Sequence, residues 1–580
     1  MYQRAQSMAA LERSIAVLPF EHLSATGEDT YFTVGMQDEI TGDLAKLAGM
    51  KVIGSQSTRS YLPGKERNLH AIGRDLGVRH LLEGSVSRDN AQMRVALRLV
   101  DLRDSAHPWT ETYQRPSKDI FVLQSEITRA VAAHLQRQLS PTEKAALEKP
   151  PTSDLQAYDF YLQVRALPSI TLETEGSQFL SDAKRAISMM DEAVTRDPSF
   201  VAAYCELSRW HDELYSWRNL LSPNERTIDH RNLAEAAMEK ARRLEPDSGQ
   251  VRLTLARHAL QVSNNLKEAE IQVELARQVL PNDVQVETIA ARVARRKDRW
   301  DEAIRGLEKA VSLEPRSIPT RYLLANTYRY MRRYADYERT MEGVLALTPP
   351  DKYGSLPIER GWARFEKSGD LALVREALAA QISAQQIDES DTTTLQIMLA
   401  IWSHDADGIS RLLSVKHGPI GWNGVAYPDG WFEALAARMR GDDAAVGDAF
   451  SRARPEMETR VQADPADALQ LSVLAIIDAG LGRKEVAVEE GKKACELLSA
   501  KANNFNTPTV HCNLAVVYAW IGQNDLAIAE LTPLINGPAM GNIICLPTYG
   551  DFRRNPLWDP LRNDPRFTAI MKRLAPVASK

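Results

Sequence analysis

Residues 269–281 read AEIQVELARQVLP, residues 303–315 AIRGLEKAVSLEP, and residues 337–349 YERTMEGVLALTP. Each stretch closes on a proline, and Pro281, Pro315 and Pro349 recur at equal intervals. Pro246 precedes Pro281 by almost the same interval, and the gap from Pro198 to Pro246 is longer. Five residues before each proline comes Ala193, Ala241, Ala276, Ala310 or Val344, and seven residues earlier Ala186, Ala234, Ala269, Ala303 or Tyr337. Small side chains at a fixed offset let two antiparallel helices approach closely, and the proline, which has no N–H to donate, stops the second helix. The longer gap fits one repeat with an insertion at 217–229.

The interval is the tetratricopeptide period of about 34 residues, and it predicts an all-α solenoid with well-phased repeats from Val201 to Pro349. Beyond Pro349 the pattern loosens. Stretches 358–381, 393–413, 431–454 and 469–498 still read as helix pairs or parts of them, and 510–535 recovers the pattern with Leu514, Ala515, Tyr518, Gly522 and Ala527. The end, NPLWDPLRNDPRF at 555–567, is expected to cap the stack, because a terminal repeat has no neighbour to cover its apolar face.

Ahead of the repeats the period changes. Ser14–Phe20 (SIAVLPF) is a short apolar run ended by a proline, as in a buried strand. A helix is predicted from about Asp29 to Leu47, a strand over Met50–Gly54, and a short helix over Asn68–Gly77 with Gly77 as its C-cap. Three strands follow, Val78–Ser87, Met93–Leu102 and Trp109–Tyr113, with Asp89-Asn90 as the first turn. Arg94, Ala96 and Arg98 alternate with Val95, Leu97 and Leu99, so one face of the hairpin is wet and the other buried. A helix over Ile120–Leu139 carries Phe121, Ile127, Val131 and Leu135 in one stripe, and the order is β-α-β-α-β-β-β-α.

Four ordered motifs in this region, SIAVLPFEHLS at 14–24, YFTVGMQDEI at 31–40, LLEGSVSRD at 81–89 and IFVLQSEI at 120–127, closely resemble the TolB amino-terminal-like module of bacterial signalling proteins. The resemblance covers nearly all of the region ahead of the repeats and implies a module that accompanies tetratricopeptide repeats. It also implies an output domain such as a class III adenylate cyclase, a winged-helix DNA-binding domain or a Ser/Thr kinase, and no output motif is seen on either side. The fold class expected is an α+β N-terminal module followed by an all-α tetratricopeptide-type solenoid. The expected division is 1–145 for the module, 146–350 for the repeats, 351–500 for degenerate helical repeats, and 501–580 for the last repeat and cap.

Composition narrows the function. The 580 residues carry 71 Lys and Arg against 77 Asp and Glu, a net charge of −6, which gives no global attraction for nucleic acid or anionic lipid. No apolar run reaches the ~20 residues of a membrane span, and the N-terminus is a poor signal peptide, so a cytoplasmic location is expected, or a periplasmic one if the sequence is part of a membrane-anchored signalling protein. Cys205, Cys495, Cys512 and Cys545 are scattered without a C-x-x-C pair, so buried small residues are expected and neither zinc nor a disulfide framework.

No Walker loop, G-x-G-x-x-G, G-x-S-x-G or H-E-x-x-H is present. His211-Asp212-Glu213 lies inside a helix, where neighbours point to different faces, and reads as structural. Pro63-Gly64-Lys65 reads as a plain loop, and Glu83-Gly84-Ser85, between strands and without a placed base, as a sheet motif. The protein is therefore expected to be non-enzymatic and to use no cofactor or metal.

The candidate site is on the concave face, lined by the first helix of each repeat. Counting three residues past each proline as a repeat start, the ninth positions are Arg209, Arg257, Arg292 and Asn326, and the twelfth and thirteenth add Arg295, Arg296, Arg329 and Tyr330. Guanidinium groups pair bidentately with carboxylates, so this strip suits an acidic peptide or a C-terminal carboxylate. The alternative is a set of solvated surface arginines, or arginines paired with acids of the next repeat. Nucleic acid is disfavoured: Tyr322, Tyr328, Tyr330 and Tyr334 interleave with the arginines, but Tyr328 sits at a core position. The reading is a sensory or adaptor protein that binds a protein or small effector, or the non-catalytic regulatory part of a class III adenylate cyclase.

Overall fold

The computed structural model describes residues 12–23, 30–63, 67–88, 92–105, 107–135, 138–167, 176–217, 228–352, 354–384, 389–415, 417–418, 420–422, 425–500, 506–540 and 545–576. The protein divides into two compact units, Met1–Leu323 and Leu324–Lys580.

The first unit begins with β1 (Ser14–Val17), β2 (Glu21–His22), α1 (Thr30–Ala45) and β3 (Lys51–Ile53), then α2 (Leu69–Leu76), β4 (His80–Arg88), β5 (Gln92–Asp101), β6 (Trp109–Pro116) and α3 (Ile120–His134). This is the expected order, with three small additions, β2, a one-turn helix at Ser55–Thr58 and a 3-10 turn at Ser117–Asp119. The sheet runs β3-β1-β4-β5-β6; β1 lies parallel to β3 and β4, and β4, β5 and β6 are antiparallel. The predicted alternation is present: Val95, Leu97 and Leu99 are buried while Arg94 and Arg98 are exposed. Gly77 caps α2 at φ 62°, a left-handed conformation that favours glycine, and Asn68 accepts from the Ala71 N–H at the other end. The turn expected at Asp89-Asn90 lies outside the described residues, as do Gly64-Lys65 and most of the 217–229 insertion.

After α4 (Pro141–Glu148) come the helix pairs. They are α5 (Leu155–Arg165) with α6 (Gly176–Arg196), α7 (Val201–Ser216) with α8 (His230–Leu244), α9 (Gly249–Gln261) with α10 (Leu266–Val279), and α11 (Val284–Arg296) with α12 (Trp300–Leu313). First helices also pack on one another, α7 on α9 and α9 on α11, as in a tetratricopeptide stack. All eight alanines at the predicted offsets, from Ala186 to Ala310, are fully buried. The paired packing begins one pair before the first well-phased repeat, because α5 and α6 already form such a pair.

One apolar core joins the sheet to the first repeats. Leu82, Val95 and Leu99 share it with Met36 and Ile40 of α1, Leu123 and Ile127 of α3, Tyr158 and Leu162 of α5, and Trp210 of α7. Polar contacts then tie the α/β region to later repeat turns. The Gly54 N–H donates to Leu313 O at 3.0 Å, and the Arg316 N–H donates to Ser57 Oγ at 3.0 Å. Asn282 Nδ2 donates to the carbonyls of Ala45 and Leu47 at 3.2 and 3.1 Å, ending α1 against the turn before α11.

The second unit starts within α13 (Ile318–Tyr330) and continues through α14 (Tyr334–Leu347), α15 (Leu356–Ser368), α16 (Ala372–Ser383), α17 (Glu389–Trp402) and α18 (Ala406–Leu413). A hairpin of β7 (Ile420–Trp422) and β8 (Val425–Tyr427) interrupts the helices. Then follow α19 (Asp429–Arg440), α20 (Asp443–Ala463), α21 (Ala468–Gly480), α22 (Lys484–Ala500), α23 (Thr507–Trp520), α24 (Asn524–Asn536), α25 (Tyr549–Arg554) and α26 (Pro565–Leu574). Its core is a single cluster from Ile358 to Ile570. The closing segment is fastened through Asp551, whose carboxylate accepts from the indoles of Trp402 and Trp558 at 3.1 and 3.0 Å and from Asn555 at 2.9 Å. Among the described residues no helix is long and apolar enough to cross a membrane.

Candidate binding site

The inner helices of the first unit place three arginines in sequence, Arg209 on α7, Arg257 on α9 and Arg292 on α11. Arg209 is held on its own helix. Its Nε donates to Glu206 Oε2 at 2.8 Å, and its guanidinium lies 4.3 Å from the centre of the Trp210 ring.

Arg257 and Arg292 differ from it. Among the described residues neither closes a salt bridge, and each feels the next cation along the face. Burial, then the Arg209 charge, lowers the Arg257 pKa, while Glu206, Glu213 and Asp212 oppose that fall. Arg292 still reaches solvent, but partial enclosure lowers its pKa too, with Arg257 and Arg296 adding to the effect and Glu213 opposing it. Like charges at neighbouring positions without a dedicated counter-ion are the electrostatic condition for holding an anion.

Acidic groups border the same region. Burial pushes the Glu206 carboxyl up, but Arg209, Arg165 and Arg257 together outweigh it, and the net shift is downward. Burial raises Asp283, with hydrogen bonds from the Gln285 and Val286 N–H groups, and then the Arg165 and Arg257 charges, partly offsetting it. Burial and the nearby Asp283 push Glu314 up to about 7. Glu39 on α1 is likewise raised by burial and moderated by Arg165, so the α/β region contributes to this charged interior.

The remaining predicted residues are placed otherwise. Arg296 Nη1 donates to Leu260 O at 3.0 Å and to Asn264 Oδ1 at 2.7 Å, bracing the previous repeat's turn. Asn264 holds a positive φ of 50° there, which asparagine tolerates better than most residues. Arg295 lies 5.8 Å from the Trp300 ring, toward the second helix of its own repeat. Arg329 requires a correction. It is bound by Glu366, with Nε to Oε2 at 3.0 Å and Nη2 to Oε1 at 2.5 Å, and their side chains are 17% and 5% exposed. Its register matches the strip, but the carboxylate it would take from a ligand is already supplied by α15. Asn326 and Tyr330 are half-buried on α13, in the second unit with Arg329.

Two further clusters are assembled by the fold. The His211-Asp212-Glu213 run fans out as its helical position requires. His211 Nδ1 meets His230 Nδ1 at 3.0 Å, while Asp212 Oδ1 pairs with His258 Nδ1 at 2.8 Å, so α7 is tied to both α8 and α9. His211 and His230 also line a cleft of about 880 Å³ with Ile187, Leu207, Leu214 and Leu233. In the second unit His511 joins Glu530, at 2.7 Å, to Cys495, and these two partners hold its pKa up at about 10. Three separate helices supply that trio, and only folding brings them together. Arg67 and Arg98 each reach Glu83 at 3.3 Å, which fixes the Glu83-Gly84-Ser85 motif as part of the sheet.

No family model matches the sequence. It is 36% identical over 195 residues to "Putative adenylate cyclase 3" of Rhizobium meliloti (strain 1021), a match covering 34% of this chain and 32% of that protein. The match thus spans about a third of the length of that relative. Among solved structures, the human IFIT1 dimer with m7Gppp-AAAA is similar over 65% of this chain and 77% of that one, at 13% identity and a TM-score of 0.35. The type IV pilus biogenesis factor PilW is similar over 37% of this chain and 92% of its own, at 14% identity and a TM-score of 0.29. TTC0263, a thermophilic TPR protein in Thermus thermophilus, is similar over 36% and 91%, at 17% identity and a TM-score of 0.24. The class defined by the fold is a helical-repeat protein of tetratricopeptide type carrying a small N-terminal α/β region.

Proposed function

We propose that the protein is a non-enzymatic sensory or adaptor protein that captures an acidic protein segment, or a C-terminal carboxylate, on the inner helices of its first unit. The observation that carries this reading is the pair Arg257 and Arg292, two neighbouring cations without a salt-bridge partner among the described residues. A carboxylate approaching both would relieve their mutual repulsion and gain bidentate hydrogen bonds. Burial raises the Asp283 and Glu314 carboxyls, and the Arg257 charge partly offsets the rise at Asp283.

The test is binding of a fluorescent acidic peptide with a free C-terminal carboxylate, compared with its amidated form. Affinity is expected to fall at least about tenfold in the double variant Arg257→Glu/Arg292→Glu and to weaken with added salt. Equal affinity in the variant would remove the inner-face site.

A second reading is favoured by the Rhizobium relative: this protein as the regulatory, non-catalytic part of a class III adenylate cyclase or related signalling enzyme. The resemblance of the N-terminal region to a TolB amino-terminal-like module supports the same context. Immunoblotting of the native host with an antibody raised to this protein decides it. A band far above 64.8 kDa favours the regulatory part, and a band at that mass favours the adaptor.

A further inference from the structure

Cys512 and Cys545 stand 33 residues apart in sequence, yet their sulfurs lie 2.7 Å from each other. That separation is only about 0.7 Å longer than a covalent S–S bond of roughly 2.05 Å. Both residues are buried, at 0% and 1% exposure. Cys512 belongs to α23, an inner element of the last helix pair, and Cys545 leads into the closing segment that ends in α25 and α26. The surroundings are Tyr427 and the Asp551 carboxyl that fastens the same segment to Trp402 and Trp558.

We propose that Cys512 and Cys545 form an intramolecular disulfide that fastens the closing segment to α23 when the protein folds in contact with a disulfide-bearing partner molecule. The step is thiol–disulfide exchange with an acceptor R–S–S–R. One cysteine thiolate attacks the acceptor and expels RS⁻, and the second attacks the resulting mixed disulfide and expels the other RS⁻. The two thiol protons pass to the expelled thiolates, so the cysteines are oxidised and the acceptor leaves as two RSH.

The timing follows from burial. Enclosure pushes the Cys545 thiol up, with Cys512 and Asp551 adding to it, and enclosure also raises Cys512. Thiolate is the attacking species, so exchange is slow once the segment has closed and fast while it docks. The other two cysteines are placed apart from this pair: Cys205 is buried on α7 and Cys495 sits against His511.

The test refolds the full-length protein in a glutathione redox buffer, then alkylates it under denaturing, non-reducing conditions before digestion and mass spectrometry. The expected product is a Cys512–Cys545 peptide pair two hydrogens lighter than its parts, with Cys205 and Cys495 alkylated. Four alkylated cysteines, or either cysteine linked elsewhere, would overturn the proposal. Thermal unfolding supplies a second measurement. Reductant should lower the midpoint of the refolded wild type by about 5–10 °C and leave Cys545→Ser unmoved. An unmoved wild type would likewise overturn it.

Discussion

The two units treat an enclosed arginine on an inner helix in opposite ways. In the first, burial and then the Arg209 charge lower the Arg257 pKa, against the diffuse opposing charge of Glu206, Glu213 and Asp212. In the second, burial opposes the charge on Arg329, but Glu366 outweighs it and the pKa rises. A committed carboxylate turns an arginine into structure, whereas shared, distant charge leaves it without a dedicated counter-ion. At the turns between paired helices, Asn264 and Asp298 take up positive φ in the first unit, at 50° and 59°, and Arg332, His404, Gly441, Gly482 and Gly522 do so in the second. Asp298 is itself used, accepting from the Trp300 indole at 2.6 Å, and the glycines serve the backbone alone.

The largest effect is expected where the pairing is tightest. Glu366→Ala leaves the Arg329 guanidinium enclosed without a counter-ion, and the expected loss of stability is about 3–5 kcal/mol. Denaturant unfolding followed through Trp362 and Trp402, which lie in the same core, measures it. The double variant Glu366→Ala/Arg329→Met should regain most of the loss, because an apolar pair needs no counter-charge. A single-variant loss below about 1 kcal/mol would place Arg329 in the same condition as Arg257 and erase the contrast.

A smaller effect sharpens the first unit. Burial and Asp283 raise Glu314 to about 7 from an ordinary 4.5, so its protonated form is favoured in the folded state. Its contribution is therefore fully present below pH 4.5 and is lost as pH rises through about 7. The wild type should lose on the order of 1–2 kcal/mol across that window relative to Glu314→Gln, which keeps the shape and does not titrate. Parallel pH–stability curves for the two proteins would show that Glu314 holds no proton of its own. A carboxylate at this position also lies against the α/β region, since a Cβ placed on Gly54 would meet the Glu314 side chain.

How much of this was legible depended on the range of the interaction. The repeat period, the buried alanines and the hairpin alternation are local patterns, because helix spacing and sheet pleat repeat at fixed offsets. The register of Arg209, Arg257 and Arg292 was legible for the same reason. What α15 brings to Arg329 was not, since Glu366 lies 37 residues away and no offset rule links them. The hairpin at Ile420–Tyr427 was missed among degenerate repeats, although Asn423-Gly424 between its strands is a favourable turn pair. The pair formed by α5 and α6 was also hard to phase, because Pro168 and the long stretch before α6 break the spacing that the later prolines keep.

The smallest effect discriminates most finely between site and scaffold. Arg295 sits three residues beyond Arg292 on the same helix, yet it turns toward Trp300, at 5.8 Å from the ring. If register alone made a binding strip, Arg295→Ala and Arg292→Ala would weaken the acidic peptide equally. The geometry separates them, because a cation against its own repeat's indole is already engaged, and one facing a second cation is not. Arg295→Ala is therefore expected to cost about 0.5 kcal/mol of stability and leave peptide affinity within about twofold, against a several-fold loss for Arg292→Ala. Isothermal titration of both variants with the same peptide makes the comparison. Equal losses would mean that the strip is read by overall charge, and that the orientation of each guanidinium has no part in it.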